Sequence, residues 1–266
     1  MSTKFSISVI LPTYNEEESL KFFIPQLEKE LSKFDYEILV VDDDSSDNTQ
    51  NVVVKYSESN NRIRLIRRFS KPSLSMSIYE GLQNANKEFV MWLDADGSMD
   101  AKSVLKLIEY CIKDTNKVYI GSRFVEGGGY KGKENIGSFN LKKLLKSILN
   151  SEDAFLAIFL SLVFNKFLSF VLKINVKDLT SGFIIGNKNV FNKEMFTNYV
   201  YGEYFINVIS QIYLKKRDII EVGYFCKTRL YDVSKTSTNI FRLVSLISPY
   251  INTAMKSRKL IHENLR

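Results

Sequence analysis

Short, nearly continuous apolar runs alternate along the first half of the chain with segments whose apolar residues recur every three or four positions. The runs predict strands buried on both faces, and the periodic segments predict helices that pack against them. This order predicts an α/β fold in which a mostly parallel, Rossmann-like sheet is flanked by helices. The predicted strands are residues 6–11, 36–41, 63–66, 89–93, 118–120 and 219–225, and the clearest predicted helices are 74–84, 101–112 and 204–214.

Proline, glycine and capping residues set the expected ends of several elements. Pro12 cannot donate a backbone hydrogen bond, so we expect it to stop the first strand. Asn15 is predicted to cap the helix that follows, and Pro25 to kink or split that helix. The glycine-rich stretch 126–137 has no hydrophobic period and predicts a mobile loop.

The middle of the chain suggests contact with a membrane surface. Residues 140–149 place apolar residues on one helical face and lysines on the other, which is typical of an interfacial helix and also of an ordinary packed helix. Residues 155–172 are almost entirely apolar, but Asn165 and Lys166 interrupt them. A spanning helix needs about 20 apolar residues, and a central lysine costs roughly 3 kcal/mol. The sequence therefore favours amphipathic interface helices within 140–172 over a span.

Composition narrows the chemistry. The chain has 37 Lys and Arg against 30 Asp and Glu, and its net charge of +7 favours anionic partners. His262 is the only histidine, which disfavours a histidine base or an imidazole metal site. Cys111 and Cys226 lie far apart in the sequence and give no support to a disulfide framework. The N-terminal residues lack a charged region before a long apolar core, so we expect no secretory signal.

Charged side chains follow three of the predicted strands at the point where each strand ends. Asp94 and Asp96 follow the fourth strand, the carboxylates of residues 42–44 follow the second, and Arg123 follows the fifth. A single acidic cluster is usually a solvated turn, but the carboxyl ends of parallel strands meet at one edge of a sheet, where ligands bind. Two carboxylates one residue apart suit one hard cation, Mg²⁺ or Mn²⁺, that shares its shell with phosphate oxygens. The sequence therefore predicts a metal and diphosphate site.

Six motifs carry a resemblance to a known family. They are PTYNEEESL, VVDDDSSDNT, WLDADGS, GSRF, DLTSGF and TRLYDVSKT, in that order. Their order and approximate spacing resemble the family 2 glycosyltransferases of the GT-A fold, most of all the dolichyl-phosphate mannose synthases. The resemblance implies a GT-A domain over residues 1–236, which includes the interface helices 140–172. The remaining residues, 237–266, form a predicted helical tail that docks on the domain or contacts the membrane.

The resemblance also implies roles for individual residues. Asp94, Ala95 and Asp96 would hold the donor diphosphate and the metal, with Asp94 and Asp96 as the metal ligands. Asp96 and Arg123 would act in catalysis. The other implied ligands are Pro12, Tyr14 and Glu16 for the nucleoside, Val41 and Asp43 for its base, and Arg123, Arg229 and Lys235 for the phosphates of donor and acceptor.

The implied activity is metal-dependent, inverting transfer of a hexose, with mannose favoured, from a nucleotide sugar such as GDP-mannose to a polyprenyl or dolichyl phosphate. The leaving diphosphate gains charge as the glycosidic bond breaks, so a metal and fixed cations stabilise the transition state. An acceptor phosphate is already an anion and needs no strong general base. We expect a peripheral protein at the cytoplasmic face of a membrane, acting in protein glycosylation, with no nucleic-acid partner.

Departures from the family pattern leave alternatives open. Residues 97–99 replace a third metal ligand, and DADGS is closer to related glucosyltransferases. Asn207 occupies a usual acid position, with Glu203 one helical turn earlier, and Ile184 stands where arginine is common. The alternatives are transfer of glucose to the same lipids and transfer to a glycan hydroxyl, which would require a carboxylate base. A non-catalytic nucleotide-binding module and a phosphoacceptor receiver domain are the others.

Overall fold

The structure is a computed structural model that describes the backbone of residues 4–130, 153–227 and 240–264, and the side chains of 4–130, 158–227 and 247–264. The strands are β1 (Ser6–Thr13), β2 (Asp35–Asp42), β3 (Ile63–Arg67), β4 (Phe89–Trp92), β5 (Val118–Ser122), β6 (Gly129–Tyr130), β7 (Ile184–Asn187), β8 (Ile219–Gly223) and β9 (Phe225–Cys226). The helices are α1 (Glu17–Leu31), α2 (Thr49–Ser59), α3 (Leu74–Asn84), α4 (Ala101–Lys113), α5 (Asp153–Leu172), α6 (Tyr204–Leu214) and α7 (Ile240–Asn264).

Seven strands form one sheet in the order β3-β2-β1-β4-β7-β5-β8. Neighbouring strands are parallel except for β7, which is antiparallel to both β4 and β5. The strand order reverses between β1 and β4, and such a switch point leaves a crevice at the carboxyl ends of the strands. Because β7 runs the other way, the loop that enters it lies at this same edge. The predicted mostly parallel α/β fold is confirmed.

Two apolar clusters cover the two faces of the sheet. One packs α1, α2 and α4 against one face. The other packs α3, α5, α6 and α7 against the opposite face. Ala254 and Ile261 of α7 are buried in this second cluster, so the C-terminal helix packs on the body of the protein.

The prediction that Pro12 ends the first strand is wrong, because β1 continues to Thr13 beside β2. On its other side, β1 pairs with β4 only as far as Ile10, whose carbonyl accepts a hydrogen bond from Leu93 N at 3.4 Å. Hydrogen-bonding directions alternate along a strand, so the nitrogen of Pro12 faces the side on which β4 has already ended. The sheet therefore does not need the N–H that proline lacks.

The prediction that Asn15 caps α1 is wrong, because the residue at its N-terminal boundary is Glu16, with no side-chain cap. Pro25 lies inside one unbroken helix, so it does not split α1. Asn15 instead has a φ of 57° and accepts a hydrogen bond from Ser46 N at 2.8 Å. Its polar side chain tolerates this backbone conformation and joins the loop before α1 to the loop before α2.

The predicted strand 219–225 is divided into β8 and β9, and the described part of the glycine-rich stretch contributes β6, which pairs with β9. A Cβ on Gly223 would lie 2.3 Å from the carbonyl oxygen of Glu126 and 2.5 Å from the nitrogen of Gly128. Only glycine permits this close approach of two backbones. The chain therefore leaves the large sheet after Gly223. Residues 131–137 lie outside the described part.

The apolar helix predicted over 155–172 is present as α5, whereas the predicted basic helix 140–149 lies outside the described residues. Asn165 does not interrupt the packing of α5. It is fully buried, accepts a hydrogen bond from Leu179 N at 2.7 Å and donates one to Thr180 Oγ1 at 3.0 Å. Lys166 is exposed. Within the ranges described, no helix is long and apolar enough to cross a membrane.

Glu37 lies near the start of β2, at the edge of the sheet opposite the carboxyl ends of the parallel strands, and makes the stability of the fold depend on pH. Its carboxylate accepts hydrogen bonds from Asn86 N at 2.6 Å, Ser8 Oγ at 2.7 Å and Arg64 Nη1 at 2.9 Å. Burial raises the pKa of Glu37, but these hydrogen bonds outweigh it and hold the pKa below the ordinary 4.5. The stabilisation is therefore complete above the ordinary pKa and is lost as the pH falls through the folded-state pKa.

We expect the urea midpoint of the wild type to fall more steeply than that of Glu37→Gln between about pH 5 and about pH 3, because only the wild type loses this carboxylate. Equilibrium unfolding in urea across this range measures the effect. Parallel curves for the two proteins would contradict the assignment.

Candidate active site

The carboxyl ends of β2, β1 and β4 bring together residues that the sequence predicts to bind the donor. Pro12 pairs with Val41 across β1 and β2. Trp92, the last residue of β4, lies opposite Ile10, so Asp94 follows level with Pro12. Of the other predicted nucleoside and diphosphate ligands, Ala95 is buried, Glu16 is partly exposed and Tyr14 is exposed.

Hydrogen bonds join the loop after β1 to the loop after β2. Glu16 N donates to Thr49 Oγ1 at 2.8 Å, and Glu17 N donates to Asp47 Oδ2 at 3.2 Å. Together with the bond between Ser46 and Asn15, these contacts make the two loops one wall of the edge. The predicted nucleoside ligands of both loops are therefore held in a fixed relation.

Asp43, the predicted base ligand, is buried and ion-paired with Arg68. It accepts a hydrogen bond from Ser73 N at 2.6 Å, and Arg68 Nη1 also donates to Ser77 Oγ at 3.0 Å. Burial raises the pKa of Asp43, while the hydrogen bond from Ser73 and the charge of Arg68 oppose that rise. Arg68 was missed in the sequence, although it follows a strand end just as Arg123 does.

Asp94 and Asp96 lie at the end of β4, as predicted. Asp96 is buried, and its Oδ1 accepts a hydrogen bond from Ser98 N at 2.9 Å. Gly97, between Asp96 and Ser98, has a φ of 75°. Glycine adopts this left-handed conformation without strain, and it lets the chain turn back onto Asp96. Asp94 is partly exposed and lines a cavity.

The chemistry of Asp94 and Asp96 fits a hard divalent cation that shares its shell with a ligand. Among the residues whose side chains are described, no three or more His, Cys, Asp or Glu converge to hold a metal. Two carboxylates alone leave coordination positions for diphosphate oxygens and water, which is the usual arrangement for Mg²⁺ in phosphate-transfer sites. The pair therefore suits Mg²⁺ or Mn²⁺ bound together with a diphosphate.

Arg123 is held by a buried carboxylate. Its Nε and Nη2 donate to the two oxygens of Asp178 at 2.8 and 2.7 Å, and Nη2 also donates to Thr180 Oγ1 at 2.8 Å. Asp178 is fully buried. Burial alone would lower the pKa of Arg123, but the charge and hydrogen bonds of Asp178 raise it well above its ordinary value. The predicted catalytic arginine therefore also anchors the DLTSGF loop.

Two predicted phosphate ligands, Arg229 and Lys235, lie outside the described residues. Lys227 is the last described residue before this gap; its N–H donates to Ser98 O at 2.9 Å and its Nζ lies 2.7 Å from Asp100 Oδ2. Lys227 therefore lies beside the loop of Asp96.

A cavity of ≈ 460 Å³ opens beside Asp94, and most of the residues that line it were not among the predicted site residues. Its walls come from the loop before β7, the start of α6 and a turn of α7. The DLTSGF motif was a signal for the first of these walls, whereas nothing in the sequence pattern marked the third. The lining residues are Leu74, Asp94, Thr180, Ser181, Gly182, Tyr201, Gly202, Glu203, Tyr204, Pro249 and Tyr250.

Glu203 lines the cavity, and Asn207 does not. The carboxylate of Glu203 accepts hydrogen bonds from Val200 N at 3.0 Å and Tyr201 N at 3.1 Å, which fix its position. Asn207 is buried and donates to Met195 O at 3.1 Å. At position 207, where the family usually has an acid, this chain has a buried amide, and a carboxylate that lines the cavity comes from Glu203, one helical turn earlier.

Two known dolichyl-phosphate glycosyltransferases are similar in sequence to part of this chain. Dolichol-phosphate mannosyltransferase of Pyrococcus furiosus is 38% identical over 122 residues, which are 46% of this chain and 34% of that protein. Dolichyl-phosphate beta-glucosyltransferase of Trichomonas vaginalis is 33% identical over 129 residues, which are 44% of this chain and 40% of that protein. The matched part is thus well under half of each relative.

Solved structures share the fold at low identity. Glucosyl-3-phosphoglycerate synthase of Mycobacterium tuberculosis, in complex with Mn²⁺, UDP and phosphoglyceric acid, has a TM-score of 0.63 at 14% identity and covers 96% of this chain and 78% of its own. Its complex with Mg²⁺ and UDP gives a TM-score of 0.61 at 14% identity, covering 96% of this chain and 80% of its own. A family model described as glycosyl transferase family 2 matches residues 8–195. The resemblance carried by the motifs is confirmed, and this chain belongs to glycosyl transferase family 2.

Proposed function

We propose that this protein is an inverting hexosyltransferase that moves a hexose from a nucleotide sugar to the phosphate of a polyprenyl lipid, at a membrane surface. Mannose from GDP-mannose is the first choice of donor, because a relative at 38% identity is named a mannosyltransferase. Glucose is the second, because another relative is named a glucosyltransferase. Dolichyl phosphate and shorter polyprenyl phosphates present the same reacting group.

The residues at the sheet edge supply what this chemistry needs. When bound at Asp94 and Asp96, Mg²⁺ or Mn²⁺ would neutralise charge that develops on the leaving diphosphate. The wall formed by the loops after β1 and β2 would hold the nucleoside, with Asp43 and Arg68 at its base. Arg123 Nη1 makes no hydrogen bond to the residues described here, so it can donate to a phosphate. An acceptor phosphate attacks as an anion, and one in-line displacement inverts the anomeric carbon.

The exposed outer face of α5 is the observation that supports a lipid acceptor. Leu160, Val163, Phe167 and Phe170 are exposed along this face, and Phe170 is 79% exposed. On the inner face, Asn165 binds the loop that lines the cavity beside Asp94. One helix therefore joins an exposed apolar stripe to the reaction site. An exposed apolar stripe with two phenylalanines, next to the exposed Lys166, suits the boundary between the headgroups and the acyl chains of a bilayer.

A second candidate is transfer to a sugar hydroxyl, and Glu203 favours it. The described lining of the cavity includes two carboxylates, Asp94 and Glu203, and no lysine or arginine. A hydroxyl acceptor needs a base, and a carboxylate held by two backbone N–H groups can act as one. Product formation on neutral glycans but not on polyprenyl phosphate would select this alternative.

The lipid proposal predicts that Phe167→Ser/Phe170→Ser binds anionic vesicles at least about tenfold more weakly than the wild type, because inserting each phenylalanine contributes roughly 1.5–3 kcal/mol. Transfer to a long polyprenyl phosphate in vesicles should fall in parallel, while hydrolysis of the nucleotide sugar should not. Vesicle flotation and mass spectrometry of the lipid product measure the two effects with a panel of GDP- and UDP-sugars.

Phe22→Ser is the matched control, because Phe22 is a 48% exposed aromatic on α1, on the other face of the sheet. We expect it to leave vesicle binding unchanged. Equal vesicle binding by the wild type and the α5 double variant would remove the proposed membrane surface.

A further inference from the structure

The C-terminal helix α7 forms part of the wall of the cavity that contains Asp94. Pro249 and Tyr250 line this cavity together with Glu203. Packing against α5 and α6 holds α7 in place, and the ring of Tyr250 meets the ring of Phe164 edge-on at 5.9 Å. The helix predicted as a tail is thus built into the candidate active site.

Part of the cavity wall lies on a definite side of Asp94. The predicted nucleoside ligands Pro12 and Val41 come from β1 and β2, on one side of β4 in the sheet. The loop entering β7, which supplies Thr180, Ser181 and Gly182 to the cavity wall, lies on the other side of β4. A molecule that contacts this loop in the cavity would therefore approach Asp94 from the side opposite the nucleoside, where an acceptor is expected.

Tyr250 offers this cavity a neutral hydrogen-bond donor. Burial and the charges of Glu203 and Asp94 raise the pKa of Tyr250 to about 12, so its hydroxyl stays protonated at neutral pH. The neighbouring Tyr204 hydroxyl is already engaged, since it accepts a hydrogen bond from Trp92 Nε1 at 2.9 Å. No residue of the described ranges hydrogen-bonds to the hydroxyl of Tyr250, and Tyr250 lines the cavity.

Gly202 provides the space that this hydroxyl occupies. A Cβ at Gly202 would lie 2.4 Å from the hydroxyl oxygen of Tyr250 and 3.4 Å from its Cζ. The φ of Gly202 is not in the left-handed region, so alanine there is sterically possible for the backbone. Gly202→Ala would therefore displace the Tyr250 hydroxyl without changing its chemistry.

We propose that Tyr250 is a specificity-determining residue whose hydroxyl donates a hydrogen bond to an oxygen of the acceptor and whose ring limits the width of the acceptor site. The identity of that acceptor rests on the proposed function. The place of the acceptor, beside Asp94 and against α7, rests on the cavity.

Two soluble probes test the inference by calorimetric titration of the full chain in the presence of Mg²⁺ and GDP: farnesyl phosphate and methyl mannoside. We expect Tyr250→Phe to weaken binding of the probe that the wild type binds by about three- to tenfold, which is the effect of losing one neutral hydrogen bond. Gly202→Ala should weaken it in the same direction. The affinity for GDP should not change in either variant.

Tyr213→Phe, which removes an exposed phenol from α6, is the matched control and should bind as the wild type does. If the wild type binds only methyl mannoside, the lipid-phosphate acceptor fails but the role of Tyr250 can still be read from that probe. If neither probe binds, or if Tyr250→Phe and Gly202→Ala both bind as tightly as the wild type, the inference is overturned. An equal loss of affinity for GDP and a lowered unfolding temperature would show a structural role instead and would also overturn it.

Discussion

Asp96→Asn should lower transfer by about a hundredfold or more while the protein stays folded, because the substitution removes one of the two negative charges that suit a divalent cation and keeps the shape of the side chain. The remaining amide oxygen can still accept the hydrogen bond from Ser98 N, so the turn at Gly97 should survive. Product formation at saturating donor and Mg²⁺, together with the thermal unfolding midpoint, separates the two effects.

Asp218→Asn is the matched control for that variant. Asp218 has a 71% exposed side chain next to β8, at the edge of the sheet opposite Asp96, and its replacement also removes one charge. We expect normal turnover from it. Normal turnover from Asp96→Asn would falsify the assignment of the metal and diphosphate site to the end of β4.

Asp178→Asn should lower the free energy of unfolding by about 3–5 kcal/mol, because it leaves the charge of Arg123 buried without its partner. Asp178 is fully buried and accepts hydrogen bonds from Arg123 Nε, Nη2 and backbone N. Denaturation in guanidinium chloride measures the loss.

The double variant Arg123→Met/Asp178→Leu distinguishes the structural from the catalytic role of the pair. Removing both buried charges should recover part of the stability lost in Asp178→Asn. Transfer should nevertheless stay low if Arg123 binds phosphate as the family resemblance implies. A stable double variant with normal transfer would leave Arg123 with a structural role only.

Local sequence patterns were sufficient to predict the bounds of a helix where residues of that helix alone set both ends. The bounds of α3 and α6 agree with the sequence prediction, because an apolar residue recurs every turn in each, and in α3 Ser73 caps the first turn. The position of Asp94 and Asp96 also followed from the sequence, since a buried strand that ends in acid places its carboxylates at the ligand-binding edge.

Features that depend on contacts between distant segments could not be predicted. Pro12 is accepted inside β1 because β4 ends early on one side, which the sequence of β1 alone does not show. Asn165 looks like a break in an apolar helix until the loop at Leu179 is placed beside it. Tyr250 belongs to the cavity because α7 packs back onto α5 and α6, and no local pattern indicates that return.

The place of α7 in the cavity wall has a consequence for how new specificities could arise in this protein. The segment that matches the family model ends at residue 195, so Glu203 and Tyr250 of the cavity wall lie in a later stretch of the chain than the predicted donor ligands, whereas α5 and the loop before β7 lie within the matched segment. A chimera that keeps residues 1–195 and takes its remaining segment from another member should retain the donor preference of this protein. Acceptor contacts made by Glu203 and Tyr250 should follow the grafted segment, so recombination at one point would show whether these residues or α5 determine the acceptor.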